Sequence, residues 1–150
     1  MATTEWPEPN GPTARGEPGP SVGGSGVPQT LAAVDIGTNS FHLVVARVGA
    51  GNRFEVIARE KEMVRLGSNA GAGGDMKRLD PEAIERGVAA LARMCQIAEI
   101  HDAPVYAVAT SAVREAENGH EFIDRAQAEA GVRVEVVPGT EEARLIHLGV

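Results

Sequence analysis

With 150 residues, 43% of them hydrophobic and only 3% aromatic, the chain has the size of one domain, and Val, Ile, Leu and Ala must fill its core. A net charge of −7 and a pI near 5.1 exclude a general binder of nucleic acid or anionic membrane, which would need a basic face; polyanions are left only a local site of a few placed Arg and a metal. The single Cys95 excludes an internal disulfide and a cysteine-built metal site, and no apolar run approaches the roughly 18 residues that span a bilayer. With no basic-then-apolar leader at the N-terminus either, the expectation is a soluble cytoplasmic globule.

Residues 1–30 hold six of the nine prolines and six glycines, which predicts a disordered tail ahead of one domain over 31–150. Leu31-Ala32-Ala33-Val34 then leads through Asp35 into the polar turn Gly37-Thr38-Asn39-Ser40, and a second apolar run, Phe41 to Val48, leaves it. Both runs suit strands, so this is a hairpin in which Gly37 and Asn39 are the residues best able to take positive φ. The turn concentrates a carboxylate, two hydroxyls and an amide. Two readings stand at this point: a concavity for a phosphate and its metal ion, or an ordinary polar hairpin turn.

After the loop 49–53, Phe54 to Leu66 predicts a third strand, or two with a bend, whose charged interval Arg59 to Glu62 reads as a solvated face. Gly67 to Arg78 is a glycine-rich loop without a Walker-type Gly-Lys-Ser/Thr. Asp80-Pro81-Glu82 starts a helix, with Ile84, Val88, Leu91, Cys95 and Ala98 along one face against the sheet. Cys95 is there a small core residue.

Val105 to Ala109 is a short buried strand, and Thr110-Ser111 cap a helix running through Ala112, Val113 and Ala116 to a break near Gly119. A strand-to-helix turn of this kind suits an anion. Arg114 falls in the first turn of that helix, against the dipole, which is either a functional pointer or a surface Arg paired with Glu115, Glu117 or Asp124. A further helix covers Glu121 to Ala130, a last strand Val132 to Val137, and Thr140 caps a final helix from Glu141. The adjacent Glu141 and Glu142 suit a helix N-terminus on dipole grounds alone, and at about 100° apart they cannot share one proton site. The order of elements, a three-strand meander followed by helix, strand, helix, strand, helix, is that of a ribonuclease H-like α/β domain with a mixed sheet of about five strands.

Four stretches in register resemble the first domain of the exopolyphosphatase/guanosine pentaphosphate phosphohydrolase (Ppx/GppA) family: Asp35-Ile36-Gly37-Thr38-Asn39-Ser40, Glu62 to Gly67, Ala109 to Arg114 with Asn118, and Gly139 to Leu145. The resemblance implies release of a terminal phosphate from inorganic polyphosphate or pppGpp by an activated water. It makes Glu142 the general base, Arg114 the phosphate-binding arginine, Gly37, Thr38, Asn39 and Ser40 the first phosphate loop, and Asp35 the contact to Mg²⁺ or its waters. Gly67-Ser68-Asn69 departs from the acidic Gly-Glu-Gly of the family. Because a second loop of the form Asp-Ile-Gly-Gly-Gly-Ser and a second domain are expected after residue 150 and are absent, the chain is expected to be weakly active or inactive alone. The competing expectation is a non-catalytic single-domain remnant that binds polyphosphate or nucleotide, or pairs with another chain or a second copy through its exposed face.

Overall fold

The computed structural model describes residues 29–67 and 78–141. Residues 1–28 of the expected tail, the body of the glycine-rich loop and Glu142 with the residues after it lie outside this range, while Gln29 and Thr30, expected in the tail, open the first strand.

Five strands form one sheet: β1 Gln29–Ile36, β2 Ser40–Val48, β3 Phe54–Met63, β4 Val105–Ala109 and β5 Val134–Val136, in the spatial order β3-β2-β1-β4-β5. The β1–β2 and β2–β3 pairs are antiparallel, whereas β4 runs parallel to both β1 and β5. This is the mixed sheet that the order of elements predicts. The expected bend in β3 is a bulge: Val45 pairs with Ala58 but Ala46 pairs with Val56, so Ile57 is the extra residue.

Strand alternation builds the core. Ala32, Val34 and Ile36 of β1 and Phe41, Leu43 and Val45 of β2 all point to one face and are essentially solvent-free. Helix α1, Pro81–Ile100, lies over that face; Asp80 caps it by accepting from the Glu82 N–H at 3.1 Å, with Pro81 in the first turn. Ile84, Val88, Leu91 and Ala98 are buried as their spacing predicts, and Ala83, Gly87, Ala90 and Met94 widen the stripe. Cys95 is only half-buried at its margin. Burial, and secondly the Glu99 carboxylate, push its thiol pKa up, which disfavours the thiolate.

Gly87 marks the closest approach of helix to sheet. A Cβ there would stand 2.9 Å from the Phe122 ring and 3.3 Å from that of Phe41, and these two rings meet edge to face at 6.1 Å and 70°. Alanine would therefore overpack this point.

Two polar positions read as solvated or as motif are in fact joints. Glu62 shares the inward face with Phe41 and forms a bidentate ion pair with Arg93 of α1. Asn118, 3% exposed, accepts from the Leu79 N–H at 2.7 Å and donates to the Leu79 carbonyl at 3.0 Å, tying the entrance of α1 to the segment before α3, Gly119–Arg125.

The helix after β4 is shorter than expected. α2 is one turn, Ser111–Glu115, because Ala116 returns to extended backbone (φ −77°, ψ 132°). α3 begins two residues before Glu121 and runs on as a π-helical turn, Ala126–Ala130, closed by Gly131 in the left-handed region at φ 68°. The last strand is confined to Val134–Val136.

Candidate functional site

Because β1, β4 and β5 are parallel, their carboxyl ends open onto one rim of the sheet, where ligands of open α/β sheets are bound. All the polar motifs lie on the segments that leave this rim.

The first is the turn after β1. Gly37 donates its N–H to the Ser40 carbonyl at 3.2 Å, and a Cβ on Gly37 would be 2.8 Å from that oxygen. Glycine is needed for this approach and not for its φ. The positive-φ positions among the described residues are Gly51, Arg65, Asp102 and Gly131, so neither Gly37 nor Asn39 takes the conformation expected of it.

The turn is held from behind by the stretch after β3. Val64 and Arg65 both donate to the Asn39 carbonyl, at 3.0 and 2.7 Å, and Gly67 donates to the Thr38 carbonyl at 3.1 Å. Arg65 reaches this position at φ 54°, a left-handed conformation unusual for a side-chain-bearing residue. In turn the Arg86 Nε donates to the Val64 carbonyl at 3.3 Å. Across a trans peptide the C=O and the following N–H point in opposite directions. With the Thr38 and Asn39 carbonyls turned toward residues 64–67, the N–H groups of Asn39 and Ser40 are directed away from them, as an anion cradle requires.

The second segment leaves β4. Thr110 donates its N–H to the Ile36 carbonyl at 3.3 Å, and the Thr38 and Ser111 hydroxyls meet at 3.0 Å. Ser111 is not among the residues that the sequence singles out, where it reads only as part of a helix cap. Thr110 takes the capping position and makes no side-chain cap bond, and Ser111 spends its hydroxyl on the neighbouring turn.

The third segment leaves β5. Val137 donates to the Ala109 carbonyl at 2.9 Å, and its own carbonyl accepts from Arg114 Nη1 at 2.8 Å. Arg114 also lies 3.5 Å from the Glu115 carboxylate, and a Cβ on Gly139 would stand 3.6 Å from its Nη2. Its side chain is only 25% exposed. The expected conflict with a helix dipole does not arise: α2 is a single turn, and Arg114 stands at its C-terminal end. Of the two readings, the pairing with Glu115 is present, and the bond to Val137 in addition fixes the arginine at the rim.

Asp35 is the last residue but one of β1, exposed on the face away from α1, paired in the ladder with His42 on β2 and Val108 on β4. The donors nearby in the chain are all oxygens: the Asp35 carboxylate, the Thr38 and Ser40 hydroxyls and the Asn39 amide. No three His, Cys, Asp or Glu side chains cluster among the described residues. One carboxylate with hydroxyl oxygens fits Mg²⁺, which takes most of its ligands from water and phosphate, and does not fit Zn²⁺.

Residues 139–141 are helical, and Glu141 donates its N–H to the Pro138 carbonyl at 3.0 Å, so the last helix opens beside Arg114, two residues earlier than expected. Glu142 lies outside the described residues. The fold thus brings together Gly37 to Ser40 and Arg114 through Ser111 and Val137, with Asp35 at the end of the same strand.

Among the described residues no helix is long and apolar enough to cross a membrane. The sequence model of the Ppx/GppA phosphatase family matches residues 44–150. Among solved structures, the chain is similar to the Ppx/GppA family member of Aquifex aeolicus, at 30% identity and a TM-score of 0.74 over 83% of this chain and 40% of that one. It also resembles an exopolyphosphatase-like protein at 39% identity and a TM-score of 0.70, over 79% of this chain and 35% of that one. An exopolyphosphatase from Cytophaga hutchinsonii matches at 34% identity and a TM-score of 0.70, over 78% and 36% of the two chains. The chain therefore spans well under half the length of each of these relatives.

Proposed function

The chain belongs to the Ppx/GppA phosphatase family, and from that premise we propose that its strand-end rim binds the terminal phosphoryl group of a phosphoanhydride, inorganic polyphosphate or pppGpp, for attack by water. The observation that carries this reading is the junction of the three segments: the Thr38 and Ser111 hydroxyls at 3.0 Å and Arg114 Nη1 on the Val137 carbonyl at 2.8 Å.

In this reading the Asn39 and Ser40 N–H groups and the Thr38 and Ser40 hydroxyls donate to the non-bridging oxygens. Arg114, preset by Val137, places its guanidinium charge against the charge that develops on the phosphoryl oxygens. Since the guanidinium is already fixed, little reorganisation is needed during reaction. Glu142 takes the proton of the attacking water as general base. A magnesium ion held by Asp35, water and substrate oxygens would neutralise phosphate charge.

Orthophosphate release from polyphosphate and from pppGpp, measured alongside tripolyphosphate binding, tests this. Glu142→Ala is expected to cut release at least about a hundredfold and leave binding within a few-fold. Undiminished release would remove Glu142 from the mechanism. Binding by the unmodified chain without any release would support the non-catalytic reading, in which the same rim recognises the polyanion and stops there.

A further inference from the structure

Thr38 and Ser111 are 73 positions apart in sequence, and their hydroxyls meet at 3.0 Å with either able to donate. Both main chains are fixed independently of that contact. The Thr38 carbonyl is held by the Gly67 N–H, and Ser111 follows directly on Thr110, which donates to the Ile36 carbonyl and accepts from the Arg114 N–H at 3.1 Å. The freedom left in the pair is the direction of its hydrogen bond.

Two hydroxyls carry two protons. One lies between the oxygens, and the hydroxyl that accepts it keeps its own proton to give elsewhere. Phosphoryl oxygens only accept, so an anion on the Gly37–Ser40 turn selects the arrangement in which the outward proton belongs to the residue of that turn. We propose that Ser111 is a positioning residue for phosphate binding: it donates to Thr38 Oγ1 and thereby commits the Thr38 proton to a phosphoryl oxygen. A hydroxyl that receives a hydrogen bond is polarised into a better donor, so the two act as a short cooperative chain. The inference rests on the phosphate reading above and extends it to a residue outside the turn.

Titration of the 150-residue chain with inorganic tripolyphosphate in magnesium-containing buffer, followed by calorimetry, tests it with thermal unfolding as the control for folding. Ser111→Ala and Thr38→Val are each expected to weaken binding about tenfold, the effect of one lost hydrogen bond to a charged ligand. The double variant should bind no more weakly than Thr38→Val, because the residues act as one donor. Ser111→Thr, which restores a hydroxyl, should bind within about twofold of the unmodified chain, while the near-isosteric Ser111→Cys, a weak donor, should fall with Ser111→Ala. A merely structural contact would lower the melting temperature in Ser111→Ala and leave affinity within twofold; that result, or losses that add in the double variant, overturns the proposal. Failure of the unmodified chain to bind tripolyphosphate would overturn the phosphate reading itself, and is distinct from binding that Ser111→Ala leaves intact.

Discussion

The inward face of the sheet and its strand-end rim are built from the same strands by different means. On the inward face, Phe41, Leu43, Val34 and Ile36 meet Gly87, Leu91 and Met94 of α1, and specificity lies in volume: a Cβ on Gly87 meets two aromatic rings. On the rim, carbonyls of the first turn are held by backbone N–H groups of residues 64–67, hydroxyls meet across two loops, and one arginine is docked on a strand-end carbonyl. Packing thus supplies the stability. Hydrogen bonds to main-chain groups supply the geometry of the candidate site, so the two properties should come apart under mutation.

The largest expected effect on stability is in the core. Phe122→Ala should remove about 3–5 kcal/mol from the unfolding free energy, the usual range for an aromatic truncation in a packed interior, and leave tripolyphosphate affinity of the folded fraction unchanged. Urea denaturation and calorimetry on the same preparation check both halves, and a large affinity loss would show that core and rim are not separable. At the joint between the regions, Asn118→Ala strands the buried Leu79 N–H and carbonyl and should cost about 2–3 kcal/mol, less if water enters. A cost below about 0.5 kcal/mol would show that this joint is solvated. On the rim, Arg114→Ala should cost about 1–2 kcal/mol, through its charged hydrogen bond to the Val137 carbonyl and its part-exposed contact with Glu115, yet weaken tripolyphosphate binding at least tenfold. Equal binding would separate Arg114 from the anion.

Sequence pattern carries the inward face well. Alternation in β1 and β2 and the spacing of Ile84, Val88, Leu91 and Ala98 report burial directly, because period 2 and period 3.6 are geometric consequences of strand and helix. What pattern does not carry is contact between distant polar groups. Asp35, Thr38, Asn39, Ser40 and Arg114 stand out by residue type, but nothing local shows that Ser111 turns to Thr38 when it also suits a helix cap, or that Glu62 docks on Arg93. Gly37 was legible as a required glycine for the wrong physical reason, since a close carbonyl leaves no trace in the sequence that distinguishes it from a positive φ. The shortness of α2 is not legible because Ala112 and Ala116 favour a longer helix, and the chain instead turns at Ala116 to bring Asn118 to Leu79.

The hairpin of β1 and β2 is joined by a three-residue turn, but the contact that completes the rim spans 73 residues. The Asp35–Ser40 turn can therefore exist in a short piece of chain as a hairpin without the contact that joins it to α2. Its second hydroxyl arrives only with β4, after the whole of α1 has been synthesised, and Arg114 gains its strand-end carbonyl only with β5. In folding terms the rim is a non-local structure, dependent on loop closures far longer than any hairpin needs. A nascent or proteolysed chain ending before Ser111 keeps the most recognisable motif and lacks the hydroxyl that meets it.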